Sequence, residues 1–97
     1  MTTTSDTIQV LIPTPLRRFT DGQARVEASV QTVGELLAAL DQRFPGLGER
    51  ILEPDGQIRR FVNVFVNGTN VRQLDGTNTP LQAGDEVGII PAMAGGR

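Results

Sequence analysis

The sequence predicts an α+β fold, with one main helix laid across a mixed four- to five-stranded sheet. Three observations carry this. Residues 24–30 alternate between small or apolar and polar side chains, residues 33–44 repeat apolar positions at helical spacing, and residues 61–66 form a β-branched and aromatic run. A single helix covering one face of a small sheet is an α+β arrangement. At 97 residues the chain is long enough for one domain with one modest core.

Ile8-Gln9-Val10-Leu11-Ile12 is a short β-rich run that Pro13 stops, because proline cannot donate to a sheet ladder. Alternation turns Ile8, Val10 and Ile12 inward. Residues 13–23 hold two prolines and the turn pair Asp21-Gly22, and read as an irregular connection with Arg17 and Arg18 exposed. Ala24, Val26, Ala28 and Val30 then face one way and Arg25, Glu27 and Ser29 the other, the pattern of a half-buried antiparallel strand. It pairs with the first run as a hairpin. Thr32-Val33-Gly34-Glu35 fits a capping box, in which the Thr and Glu side chains each satisfy a backbone N–H that the helix leaves free. Val33, Leu36, Leu37, Leu40 and Phe44 share one helix face, and Pro45-Gly46 ends it. Residues 47–60 are loose, with a short helical turn over 48–52 and a chain turn at Pro54-Asp55-Gly56.

Phe61-Val62-Asn63-Val64-Phe65-Val66 is the strongest strand signal in the chain. Val62, Val64 and Val66 form one face, and Phe61, Asn63 and Phe65 the other. Asn67-Gly68 is a tight turn into a short strand over 70–72. Asp75-Gly76 and Thr79-Pro80 punctuate a loop in which Leu81 is an apolar anchor. Gly84-Asp85 leads into a last strand over 86–90, with Val87 and Ile89 inward and Ile90 outward. In this order the first and last strands lie parallel and adjacent at the sheet centre, which is the β-grasp arrangement of ubiquitin. The expected organisation is a lead-in over 1–6, a domain over 7–91 and a tail over 92–97.

The tail, Ala92-Met93-Ala94-Gly95-Gly96-Arg97, carries almost no side-chain chemistry before its last residue. Small residues suit an extended segment in a narrow channel, since glycine has no Cβ to clash. Residues 91–96 span about 20 Å when extended, enough to place a carboxylate deep in a partner's active site.

Composition narrows the chemistry. There is no cysteine and no histidine, so the thiol nucleophile and the commonest general base are both missing. The acidic residues are scattered and form no acid/base pair by pattern. Lysine is absent while arginine occurs nine times, so the chain offers no side-chain amine as an isopeptide acceptor. Catalysis by its own side chains is not expected. The net charge of −2 without a basic block argues against a nucleic-acid partner. No apolar run reaches membrane-spanning length and residues 1–6 do not read as a signal peptide, so the expectation is a cytoplasmic protein with no membrane partner.

The stretch Leu81-Gln82-Ala83-Gly84-Asp85-Glu86-Val87-Gly88-Ile89-Ile90-Pro91-Ala92-Met93-Ala94-Gly95-Gly96 resembles the C-terminal signature of the MoaD/ThiS sulfur-carrier family. The Asn67-Gly68 turn after a Val-rich strand fits it too. Ile12-Pro13-Thr14 with Leu16-Arg17, Gly22-Gln23, and Arg60-Phe61-Val62-Asn63 with Val66-Asn67 resemble the CysO-type subgroup, and the length of 13–23 and 45–60 points the same way.

The resemblance implies a protein co-substrate rather than an enzyme. A ubiquitin-activating-like enzyme would adenylate Gly96 with ATP, and a sulfur donor would turn it into a thiocarboxylate. Gly95 and Ala94 would line the tail channel. In CysO-type systems a pyridoxal-phosphate cysteine synthase takes the sulfur and a zinc-dependent peptidase releases cysteine from the carrier. ATP, zinc and pyridoxal phosphate would belong to those partners, with no cofactor or metal on this chain. Delivery to molybdopterin, thiamine or a secondary metabolite, or use as a ubiquitin-like modifier, are the alternatives. Phe61, Phe65 and Ile90, on the sheet face away from the helix, are the expected docking residues. The family usually ends at Gly-Gly. Arg97 beyond it is either trimmed before activation or foreign to the natural chain.

Overall fold

The computed structural model describes residues 7–91. Residues 1–6 and 92–97 lie outside the described residues, and Ala94, Gly95 and Gly96 with them. In chain order the elements are β1 (Ile8–Leu11), β2 (Arg25–Ala28), α1 (Val33–Arg43), α2 (Leu47–Ile51), β3 (Val62–Val66), β4 (Thr69–Asn70) and β5 (Glu86–Pro91). Three 3₁₀ turns, Thr14–Phe19, Val71–Gln73 and Gly76–Asn78, link them. The strands form one mixed sheet in the order β2-β1-β5-β3-β4. β1 is antiparallel to β2, with Val10 opposite Val26, and parallel to β5, with Val10 opposite Val87. β5 is antiparallel to β3, with Ile89 opposite Val64. The first and last strands are therefore central neighbours, as the β-grasp reading expects.

The core lies between the sheet and α1. Val33, Leu36, Leu37 and Leu40 are wholly buried and share one cluster with Ile8, Val10, Val62, Val64, Val87 and Ile89. Phe44 and Leu81 join it at its margins. Burying one such aliphatic side chain contributes about 1.5–3 kcal/mol. The N-terminus of α1 is capped as expected on one side: Thr32 Oγ1 accepts the Glu35 N–H at 3.1 Å. The return bond differs. Glu35 Oε1 accepts from the Gln31 N–H at 2.9 Å, one residue before the cap. Here residues 31–33 also pair with the 79–81 segment, the Leu81 N–H reaching the Gln31 carbonyl and the Val33 N–H the Thr79 carbonyl.

Three expectations are corrected. The 13–23 connection is folded: Pro15 opens the Thr14–Phe19 turn, where its missing N–H costs nothing. Leu16 enters the core and the buried Thr20 hydroxyl bonds the Gln23 carbonyl at 2.8 Å. Arg17 is half-buried rather than exposed, its Nε donating to the Ile12 carbonyl at 3.0 Å, whereas Arg18 is exposed. β2 is shorter than its alternating stretch: Ala24 is exposed, and only its carbonyl, accepting from the Ile12 N–H, extends the ladder. The strand expected over 70–72 ends at Asn70. The Asn70 side chain accepts the Arg72 N–H at 2.9 Å and starts a 3₁₀ turn that buries Val71. The preceding Asn67-Gly68 turn has positive φ at both residues, +50° and +89°, which the hairpin turn requires.

Candidate functional site

The outer face of the sheet is free of the helix. Parity places Gln9 and Leu11 of β1, Asn63 and Phe65 of β3, and Glu86, Gly88 and Ile90 of β5 on it. Leu11 stands opposite Gly88, and Gly88 opposite Phe65. Since Gly88 has no side chain, this row of the sheet has a gap at its centre. The result is a hollow of about 290 Å³ lined by Leu11, Phe65, Gly68, Glu86, Gly88 and Ile90. A Cβ at Gly88 would meet nothing within 4 Å, and its φ is ordinary. Glycine inside a strand costs roughly 0.5–1 kcal/mol relative to alanine, and neither packing nor backbone demands it here.

Of the expected docking residues, Phe65 and Ile90 come together in this hollow, and Ile90 is 54% exposed. Phe61 is 64% exposed but stands one residue ahead of β3 and does not line it. Asn63 lies between them, its Oδ1 taken by Arg72 at 2.7 Å and Asn70 at 3.1 Å. Leu11 and Gly88 were not singled out in the sequence. The signals were present: alternation turns Leu11 outward once Val10 and Ile12 face in, and a glycine inside a strand marks a place where something approaches closely.

The tail begins beside this hollow. Pro91, the last residue of central strand β5, stands opposite Val62. Arg72 secures that end of the sheet, donating to the carbonyls of Val62 at 2.8 Å and Arg59 at 2.7 Å. A larger hollow of about 510 Å³ lies on the helix side, lined in part by Leu37, Asp41, Leu52, Glu53 and Arg59. Three of its charged groups already serve the fold: Asp41 accepts the Gly48 N–H at 3.0 Å, and Glu53 pairs with Arg59 at 3.4 Å. The outer-face hollow, lined by Ile90 near the end of β5, is the better candidate.

The ThiS family model matches residues 10–96. The chain belongs to the ThiS family. This ThiS-family chain is 43% identical over 91 residues to the sulfur carrier protein CysO of Mycobacterium tuberculosis, covering 92% of this chain and 98% of that one. It is 45% identical over 65 residues to small archaeal modifier protein 3 of Haloferax volcanii, covering 67% of this chain and 70% of the other. Among solved structures it is similar to the Amycolatopsis orientalis BexX/CysO complex, with a TM-score of 0.86 at 38% identity, over 92% of this chain and 99% of that one. The family expected from the C-terminal signature and the β-grasp fold expected from the order of the elements are thus both found.

Proposed function

We propose that this ThiS-family chain carries sulfur on its terminal glycine carboxyl as a co-substrate of other enzymes. The observation that carries the reading is the central position of β5. The tail leaves from the middle of the sheet end, beside an apolar hollow that a partner can grip while the tail inserts. The similarity to proteins named sulfur carriers supports it. In a chain ending at Gly96, reached here by hydrolysis of the Gly96–Arg97 peptide bond, the Gly96 carboxylate attacks the α-phosphate of ATP and pyrophosphate leaves. A sulfur nucleophile then attacks the carbonyl carbon and AMP leaves, forming the C–S bond of a thiocarboxylate. Gly95 and Ala94 lie in the channel, and Phe65 and Ile90 hold the body of the chain, with Phe61 at the margin of the contact. ATP, zinc and pyridoxal phosphate belong to the partners: an adenylating enzyme, a cysteine-synthase-type acceptor and a zinc-dependent peptidase. Cysteine biosynthesis is the favoured destination. Among the described residues no helix is long and apolar enough to cross a membrane.

The first step is tested by ATP–pyrophosphate exchange. A chain ending at Gly96 should make exchange by the source organism's adenylating enzyme carrier-dependent. Exchange at the same rate without the chain would contradict the proposal. The similarity to a small archaeal modifier favours a second reading, attachment to lysines of other proteins. Branched peptides in a cell digest, with no thiocarboxylate on the free chain, would favour the second reading.

The docking face makes its own prediction. Phe65→Ala should weaken binding to the adenylating enzyme by about 1–2 kcal/mol or more, as hot-spot truncations do. Gly88→Leu should fill the gap and weaken binding comparably while the melting point stays within a few degrees, because the new side chain enters open space. Calorimetry showing unchanged affinity for both variants, with the fold intact, would remove this face from the account.

A further inference from the structure

Five of the eight described arginines gather at one end of the molecule. β1 runs parallel to β5 with Leu11 opposite Gly88, so the Thr14–Phe19 turn that follows β1 lies toward the end where β5 finishes. Arg17 and Arg18 are in that turn. On the other flank Val62 stands opposite Pro91, which puts Arg59 and Arg60 at the same end. Arg72 joins them through its bonds to the Arg59 and Val62 carbonyls. Arg18, Arg60 and Arg72 are exposed, and Arg17 and Arg59 half-buried.

The hydrogen bonds from Arg17 and Arg72 go to neutral carbonyl and amide oxygens, which hold the side chains without cancelling their charge. Glu53 offsets Arg59 at 3.4 Å, Glu49 and Asp55 lie near it, and Asp21 follows the 3₁₀ turn, while Arg50 over the Phe19 ring adds a further cation, so the set keeps a small positive balance. The opposite end is acidic in balance. Asp85 and Glu86 stand at the start of β5, and Glu27 lies across Gln9 from Glu86; Arg25, donating to Gln9 Oε1 at 2.7 Å, and Arg43, donating to the Glu27 carbonyl at 2.6 Å, offset part of that charge. With a net charge of −2, the positive end is a local arrangement, not a reflection of the total.

We infer that this arginine collar docks on an acidic rim around the channel mouth of the adenylating enzyme. The inference rests on the thiocarboxylate reading, which sends the tail into that channel. Pro91, the residue before the tail, lies at this end between the two flanks of the collar, so the surface around an inserted tail must face Arg17, Arg18, Arg59, Arg60 and Arg72. Guanidinium groups desolvated there need carboxylates opposite them, and an apolar or basic mouth would oppose entry. A molecule positive at the tail end and negative at the other also approaches such a rim tail first. Charge steering of this kind raises association rates by about 10–10³-fold.

The test is the association rate of the chain ending at Gly96 with the source organism's adenylating enzyme, read by stopped flow. Salt is varied from about 0.01 to 1 M, over which the Debye length falls from roughly 30 to 3 Å. The unmodified chain should slow by about tenfold or more. The pair Arg18→Gln with Arg60→Gln should associate several-fold more slowly at low salt and normally at high salt. The pair Gln31→Glu with Gln82→Glu changes the net charge equally at the other end and should leave the rate within about twofold. A salt-independent rate for the unmodified chain, or equal slowing by both pairs, would overturn the inference. So would salt-sensitive binding of a short RNA at these arginines with association to the enzyme unaffected. Sulfur gain at saturating chain concentration is measured alongside. If sulfur is gained but the rate ignores salt, the collar falls alone. If an enzyme active on its own carrier adds no sulfur, the thiocarboxylate reading falls.

Discussion

Val64→Asp should leave the chain without a cooperative melting transition or lower its melting point by tens of degrees. Val64 is wholly buried at the middle of β3, opposite Ile89 and within the cluster that receives Val33, Leu37 and Leu40. A carboxylate there has no cation among the cluster's members and loses its water. An unpaired buried charge costs on the order of 4 kcal/mol or more, against a total stability of about 5–15 kcal/mol. Each kcal/mol moves the melting point of a 60–100-residue domain by about 4–8 °C. The same substitution at Ile90 provides the contrast. Ile90 is 54% exposed on the outer face, so Ile90→Asp should stay folded and fail in partner binding instead. Thermal scans by circular dichroism check both. A Val64→Asp variant that melts like the parent would contradict the β3 assignment.

Gly96→Val should separate stability from function completely. Among the described residues the buried core runs from Ile8 to Ile89, and Gly96 lies five positions past Pro91, the last described residue of the sheet. Its substitution should therefore leave the melting point unchanged. Activation should nevertheless fail. A β-branched side chain restricts the backbone and adds bulk beside the reacting carboxyl. An error of about 1 Å in placing reacting groups can cost roughly a hundredfold in rate. Single-turnover adenylation by the partner enzyme, with circular dichroism on the same sample, checks the pair of expectations. Adenylation at the parent rate would show that the channel does not require glycine.

Much of this fold was readable because local and long-range signals agree. Val62, Val64 and Val66 alternate with Asn63 and Phe65, and that alternation is the burial observed. The spacing of Val33, Leu36, Leu37 and Leu40 likewise is the buried face of α1. Where reading failed, tertiary contacts decided. Ala24, Ser29 and Val30 belong to the alternating stretch, but β2 is an edge strand and covers only Arg25–Ala28. Residues 14–19 show no helical period, and what orders them is Leu16 finding the core and Thr20 bonding backbone around it. The site divided the same way. Phe65 and Ile90 follow from parity, whereas the gap at Gly88 emerges only when the register sets Leu11, Gly88 and Phe65 in one row.

The most direct test of the account is the intact mass of the chain after incubation with the adenylating enzyme, ATP and a sulfide source. Two forms are compared, one ending at Gly96 and one retaining Arg97. An extra residue shifts the carboxylate by about 3.3–3.6 Å and adds a guanidinium to a channel suited to glycine. The form ending at Gly96 should gain the mass of one oxygen-for-sulfur exchange, located by fragmentation on Gly96, while the form retaining Arg97 should stay unchanged until that residue is removed. If the form with Arg97 gains sulfur as fast with Arg97 still attached, or the form ending at Gly96 gains none with an enzyme active on its own carrier, the assignment of Gly96 as the sulfur-bearing residue is wrong.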